Sequence, residues 1–322
     1  METQLRPLTL GEILDRTAAL YRSNFLLFAG ISTIPPALVL VWKLMEIAVV
    51  HEVVVHHGTR QANLVVAPLL GFGALIISFI LSGLALAANT RAVSSIQLGS
   101  STGILQAYSG VKPHWFRYLS LMVAVAVYSW GPSILMLGTL FTGVIVQQSM
   151  HITARSPNFW IFSVVYVVAF LAMLVTVPYS IWMMLRFALA VPASIFEDLR
   201  IHASIKRSVS LTKNGRFRIF VMFLLVVVVV YVIAIGAQLP FIFLAMKAKG
   251  VMSVAQQIGS AVVNFIVSSL IGPIYGIAIT LFYYDERIRK EGFDIEWMMK
   301  QANLDAAPPP PLAAPPPEPS LG

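Results

Sequence analysis

Residues 219–246 read IFVMFLLVVVVVYVIAIGAQLPFIFLAM, a run with no charged residue and a single amide, Gln238. Such a run is long enough to cross the roughly 30 Å hydrocarbon core of a bilayer, which takes about 20 helical residues at 1.5 Å each. Working outward from it, five more stretches of the same kind appear at about 25–50, 64–88, 115–146, 159–185 and 251–284. The pattern predicts an all-α, polytopic membrane helix bundle of six transmembrane helices. Composition agrees: 58% of residues are hydrophobic and 11% charged, against about 25% charged in soluble domains. The chain has no cysteine, which excludes disulfides, thiolate metal sites and cysteine nucleophiles. The first apolar run begins near Phe25 behind a charged, patterned segment, which does not fit a cleavable signal peptide.

A net charge of +8 raises nucleic acid as a partner, and the placement of the basic residues argues against it. Around the six spans, 17 of the 22 basic residues fall on one side, including Arg16, Arg22, Arg91, Arg186, Arg218 and Arg287. Four fall on the other, Arg60, Arg155, Lys247 and Lys249, and Lys43 lies within the first span. By the positive-inside rule the richer side is cytoplasmic, with both termini there. The excess then serves topology and attraction to anionic lipid. The expected partners are anionic headgroups and other membrane components, not nucleic acid, with the oligomeric state left open.

Short amphipathic segments stand before spans one, three and five. In PLTLGEILDRTAALYR (7–22), Thr9 is placed to cap a helix starting at Leu10, with Glu12 closing a capping box. The segments at about 102–114 and 201–214 present apolar residues at helical spacing in the same way. All three are expected to lie on the cytoplasmic membrane surface. Each is followed by two spans and an arginine: Arg91, Arg186 and Arg287 lie 82, 84 and 86 residues beyond Thr9, Thr102 and Ile201. The near-constant period allows three helical-hairpin repeats, at about 9–91, 102–186 and 201–287, within a membrane domain of residues 1–301. Short basic loops in any six-span protein would give much the same spacing. The remainder, 302–322, is rich in proline and alanine and is expected to form an extended cytoplasmic tail.

Motifs with definite chemistry are scarce. His51 and His56, with Glu52 and His57 beside them, are five residues apart; a zinc-peptidase helix needs four, and the fifth residue turns the rings about 140° apart. No metal, cofactor or catalytic residue is expected. Arg186, Lys206, Arg207 and Lys213 are candidate lipid or interface contacts, Arg186 having Glu197, Asp198 or a headgroup phosphate as possible partners. Lys43 and Glu46, three apart, are placed to pair or to snorkel outward. Asp15 and Arg16 on the N-terminal helix, with Asp285 and Arg287 after span six, are candidate bundle-closing charges. Gly272 and Gly276, and Gly83 and Ala87, are small residues four apart that allow close helix contact. Pro35-Pro36, Gly131-Pro132 and Gly272-Pro273 interrupt spans one, three and six.

Three stretches resemble one family. LTLGEILDRTAALYRSNF (8–25), RFALAVPASIFEDLRIHASIKRSVSLTKNGRFRIF (186–220) and LFYYDERIRKEGFDIEWMM (281–299) are similar to the membrane-domain family named after glycerophosphoryl diester phosphodiesterases, found in bacterial multi-span proteins. The resemblance implies a bacterial plasma-membrane location. It does not imply the hydrolase, because family members with that activity carry it in a separate barrel with a His-Arg-Gly motif, which this sequence lacks. The expectation is therefore a non-enzymatic protein, an accessory or scaffold in contact with anionic lipid. The alternative is a permease for a lipid or small amphiphile lined by spans one, three and six. The two differ in whether a polar cavity exists within the membrane. Thr139, Thr142, Gln147, Gln238 and Asn264 are few polar residues for one, which favours the scaffold.

Overall fold

The computed structural model describes residues 7–57, 66–97, 100, 102–149, 156–157, 159–213, 215–248 and 252–292. Arg60, Arg155 and Lys249, residues 295–299 and the proline-rich 302–322 lie outside the described residues. Among those described, the elements are α1 (Leu10–Ser23), α2 (Phe25–His57), α3 (Ala67–Gln97), α4 (Ile104–Val111), a 3₁₀ turn (Lys112–His114), α5 (Trp115–Ser149), α6 (Phe159–Phe187), α7 (Ala190–Phe196), α8 (Ile201–Thr212), α9 (Arg216–Lys247) and α10 (Val254–Glu291). Six of these helices, α2, α3, α5, α6, α9 and α10, are long and apolar enough to cross a membrane. The chain is a multi-pass, all-helical membrane protein.

Short helix, long helix, long helix is an order that occurs three times, as α1-α2-α3, α4-α5-α6 and α8-α9-α10. Each pair of long helices carries a hydrogen bond between its two spans, away from the end where the short helices gather. Trp42 Nε1 donates to the Leu70 carbonyl at 3.0 Å, the Tyr166 hydroxyl to Gln147 Oε1 at 2.9 Å, and Ser260 Oγ to Gln238 Oε1 at 2.9 Å. Bonds of this type contribute about 0.6–2 kcal/mol where no water competes. The spans otherwise turn large apolar side chains outward, as Leu26, Trp160 and Val175 do, and lipid rather than protein is the solvent for them.

Helix α10 is the exception and forms the centre. It packs against α2 most extensively, and also against α9, α1 and α3, and residues Ile277 to Phe282 are almost wholly buried. Its ends are set by local chemistry: Ser253 and Gln256 form a capping box, and Gly292, at φ 62°, ends the helix in the left-handed region that glycine enters without cost. Pro273 lies within it, and the helix continues through, as α2 does through Pro35 and Pro36.

The capping box expected for α1 is present, with Glu12 N–H donating to Thr9 Oγ1 at 3.3 Å and the Thr9 N–H to Glu12 Oε2 at 2.7 Å. Thr9→Ala is expected to lower stability by about 0.5–2 kcal/mol, read as a lower thermal midpoint in detergent. The position of α1 differs from a helix lying flat on the surface. The Leu8 N–H bonds Asp285 at 2.6 Å and the Tyr21 hydroxyl donates to the Leu270 carbonyl at 2.6 Å. Between those anchors α1 follows α10 for about 20 Å, burying Ile13 and Thr17. Its apolar face meets protein, which satisfies the same amphipathic pattern that a membrane surface would. Helix α7 is an addition that the apolar periodicity did not reveal: a buried turn of small residues, Ala190, Ala193 and Ser194.

Candidate functional site

A cavity of about 830 Å³ opens between α2, α3 and α10. Its walls carry Ser32 and Lys43 from α2, Ser78, Ser82 and Asn89 from α3, and Gln257, Ser260, Asn264 and Ser268 from α10 and its approach. Apolar side chains, among them Val39, Leu40, Leu86 and Phe265, fill the space between them. Asn264 and Ser268 fall near the middle of the apolar part of α10, so the polar lining reaches membrane depth. Spans one and six line the cavity, but span three does not; α5 packs on α6 instead, where Ser133 and Ser180 hydrogen-bond at 2.9 Å.

The floor is formed by a close crossing. A Cβ on Gly276 would stand 3.0 Å from Asn89 Cβ, and one on Gly272 3.2 Å from Ser32 Cβ, so both glycines are where α10 approaches α3 and α2 most closely. The small-residue spacing at 272 and 276 had this role in the sequence, and here it positions polar groups. Asn89 Nδ2 donates to Ser32 Oγ at 2.9 Å, while Asn89 Oδ1, on a residue 2% exposed, is buried with no partner. Pro35 has no N–H to give to the Ile31 carbonyl; the Tyr108 hydroxyl of α4 supplies that donor at 2.7 Å. Pro36 likewise withholds the intrahelical donor from the carbonyl of Ser32, a residue of the cavity wall. At the other end Lys43 pairs with Glu46 at 2.7 Å, as its spacing allowed, and remains 44% exposed.

A second polar region lies where α1 meets the end of α10. Asp285, its side chain fully buried, accepts from the Leu8 N–H through Oδ1 and from Arg218 and Arg289 through Oδ2 at 2.8 and 2.9 Å. The same two arginines donate to the Leu8 carbonyl at 3.0 and 2.6 Å. Glu286 meets Arg218 at 3.2 Å and Lys290 at 3.3 Å, and Lys290 also donates to the Leu211 carbonyl. This clasp joins α1, α8, α9 and α10 through charge-assisted hydrogen bonds.

The expected site residues distribute unevenly over these features. Asp285 does close the bundle onto the N-terminal segment, but through the Leu8 backbone, whereas Asp15 and Arg16 stand on the exposed face of α1. Arg287 turns to Glu291 at 3.2 Å and stacks over the Tyr283 ring at 5.9 Å. Arg207 is engaged by protein: it bonds Glu197 at 2.8 Å and Glu291 at 2.7 Å. Its burial would lower the guanidinium pKa, and the bonds to Glu291 and Glu197 outweigh that and raise it. Lys206 and Lys213 are exposed. Neither carboxylate considered for Arg186 is at hand. Glu197 is held by Arg207 and Tyr283, and Asp198 by Arg117 at 2.7 Å, a hydrogen bond that keeps the Asp198 carboxyl below the usual range. On the histidine-bearing turn, His56 meets Glu52 at 2.8 Å and both are exposed.

The serines were the signal passed over. Taken singly they read as small helix residues; only the fold places Ser32, Ser78, Ser82, Ser260 and Ser268 around one space. Asn89 falls two residues before Arg91 and reads as interfacial, yet it is buried. Arg218 and Glu286 lie inside quoted stretches, but nothing local relates residues 68 apart in sequence.

No curated protein and no solved structure matches the chain. The N-terminal stretch 8–25 and two of the cavity's three helices, α2 and α3, lie outside the family match. That match covers residues 150–305, and over them this chain resembles the membrane domain of glycerophosphoryl diester phosphodiesterase.

Proposed function

We propose that this protein binds a small amphiphile within the membrane, in the cavity between α2, α3 and α10, as the substrate site of a non-enzymatic permease or carrier. The cavity itself carries this reading, because a polar space among the spans is what distinguishes a permease from a scaffold. Its volume falls within the roughly 300–1,000 Å³ of small-molecule sites. Polar groups inside a membrane are costly unless paired or used. Asn89 Oδ1 is a buried acceptor without a partner, and it suits a ligand bearing hydroxyl or amide hydrogens. Lys43, paired with Glu46, has further N–H donors to offer a polar group near the opposite end. By the positive-inside rule the clasp faces the cytoplasm with both termini, which sets Lys43 toward the outer side.

Native mass spectrometry of protein extracted from its membrane tests this. An adduct of small-molecule mass is expected on the wild type and not on Ser78→Trp/Ser260→Trp, whose indoles would fill the space. The same adduct on both would defeat the proposal. The scaffold reading keeps one supporting observation, the exposed Lys206 and Lys213 of the α8 region, which give that surface a diffuse positive charge toward anionic lipid.

A further inference from the structure

We infer that Arg186 and Arg216, gathered around Trp182 between α6 and α9, bind the phosphate of an anionic phospholipid. The site is separate from the cavity, and its test is independent of what the cavity holds. The two guanidinium carbons lie 4.6 and 5.7 Å from the Trp182 ring centroid. Elsewhere at this end of the bundle the partly buried arginines have carboxylates: Arg117 has Asp198, Arg207 has Glu197 and Glu291, Arg218 has Asp285 and Glu286, and Arg289 has Asp285. Among the described residues Arg186 and Arg216 are bonded to none. Arg186 reaches Met183 Sδ at 4.0 Å, a weak acceptor, and Nε of both arginines is buried without any partner. Two half-buried cations against one indole ring with no carboxylate bonded to either are unfavourable. The complement they lack is an acceptor that supplies charge and several oxygens, which is the chemistry of a phosphate.

Local structure holds the site open. The Arg186 carbonyl accepts from Ser208 at 2.8 Å and from Thr212 at 3.4 Å, so α8 fixes the backbone from which that side chain extends. Arg216 is the first residue of α9, so the start of that helix fixes the backbone from which its side chain extends. Trp182 is 43% exposed and Phe217 78% exposed, an apolar flank suited to acyl chains. Cation over indole, with phosphate beyond it, is an arrangement that an interfacial lipid can complete without entering the protein.

The full-length protein, equilibrated with vesicles of phosphatidylcholine with or without phosphatidylglycerol, can be examined by native mass spectrometry for retained lipid. Retention of phosphatidylglycerol over phosphatidylcholine is expected to fall about tenfold in R186Q/R216Q and to change less than about twofold in K206Q/K213Q, whose lysines are exposed surface charges. Equal losses in the two variants would mean diffuse attraction and would overturn the site, as would unchanged retention in R186Q/R216Q. Should that variant not fold, R186K/R216K keeps the charge and loses the planar fork; a severalfold loss is expected, and retention equal to wild type overturns the inference. In a parallel arm without phosphatidylglycerol, inorganic phosphate is expected to leave the thermal midpoint unchanged. A midpoint rise matching that given by phosphatidylglycerol would assign the site to a free ion and remove the lipid.

Discussion

Asp285→Ala is expected to destabilise this protein by about 3–5 kcal/mol, the range for removing one partner of a buried charged group. The carboxylate has three donors, the Leu8 N–H, Arg218 and Arg289, and its side chain is 0% exposed. The arginines are 28% and 36% exposed, so water relieves part of their loss and the effect belongs toward the lower end. The Leu8 amide is buried and has no such relief. Because Leu8 directly precedes the Thr9 cap, its release also frees the start of α1. Detergent thermal unfolding should therefore show a large fall in midpoint, and limited proteolysis should cut the N-terminal segment while α9 and α10 persist. Asp15→Ala, on the exposed face, should stay within about 0.5 kcal/mol. A similar midpoint for the two variants would mean that the clasp does not hold the N-terminus.

The contrast between Asp285 and Asp15 shows what the sequence could and could not convey. Apolar runs, Thr9 with Glu12, and Gly292 are local signals, and local geometry fixes their outcome: the spans, the capping box and the left-handed stop all appear. Charge pairing is not local. Asp285 is readable as a charge that meets the N-terminal segment, but a sequence offers only side chains such as Arg16 for it to meet, since backbone groups carry no letter of their own. The actual cation from afar, Arg218, is 67 residues away. The cavity was hidden for a related reason. Serine hydroxyls in helices commonly return to their own backbone, as Ser82 does to the Ser78 carbonyl at 2.6 Å, so no single serine announces a polar wall. What gathers them is the helix crossing at Gly272 and Gly276, whose spacing was legible while the identity of the opposing helices was not.

That crossing makes Gly276→Val the second change of large expected effect. An added Cβ would stand 3.0 Å from Asn89 Cβ, closer than nearly all real contacts of this kind. Since Cβ atoms are fixed to the backbone, the clash cannot be relieved by a rotamer change; α10 and α3 must separate. Valine adds two further methyl groups to the same contact. A cost of about 1–3 kcal/mol or more is expected, together with loss of the Asn89–Ser32 hydrogen bond and of any molecule held above it. Gly30→Ala provides the control. There an added Cβ would come within 2.3 Å of an atom, but the atom is Cδ1 of Ile104, the end of a side chain that can rotate aside, and the cost should stay below about 1 kcal/mol. If distance alone decided the outcome, Gly30→Ala would be the more damaging change. If the helix backbones decide it, Gly276→Val will unfold at the lower temperature and emerge from its membrane without the small-molecule adduct, while Gly30→Ala retains both.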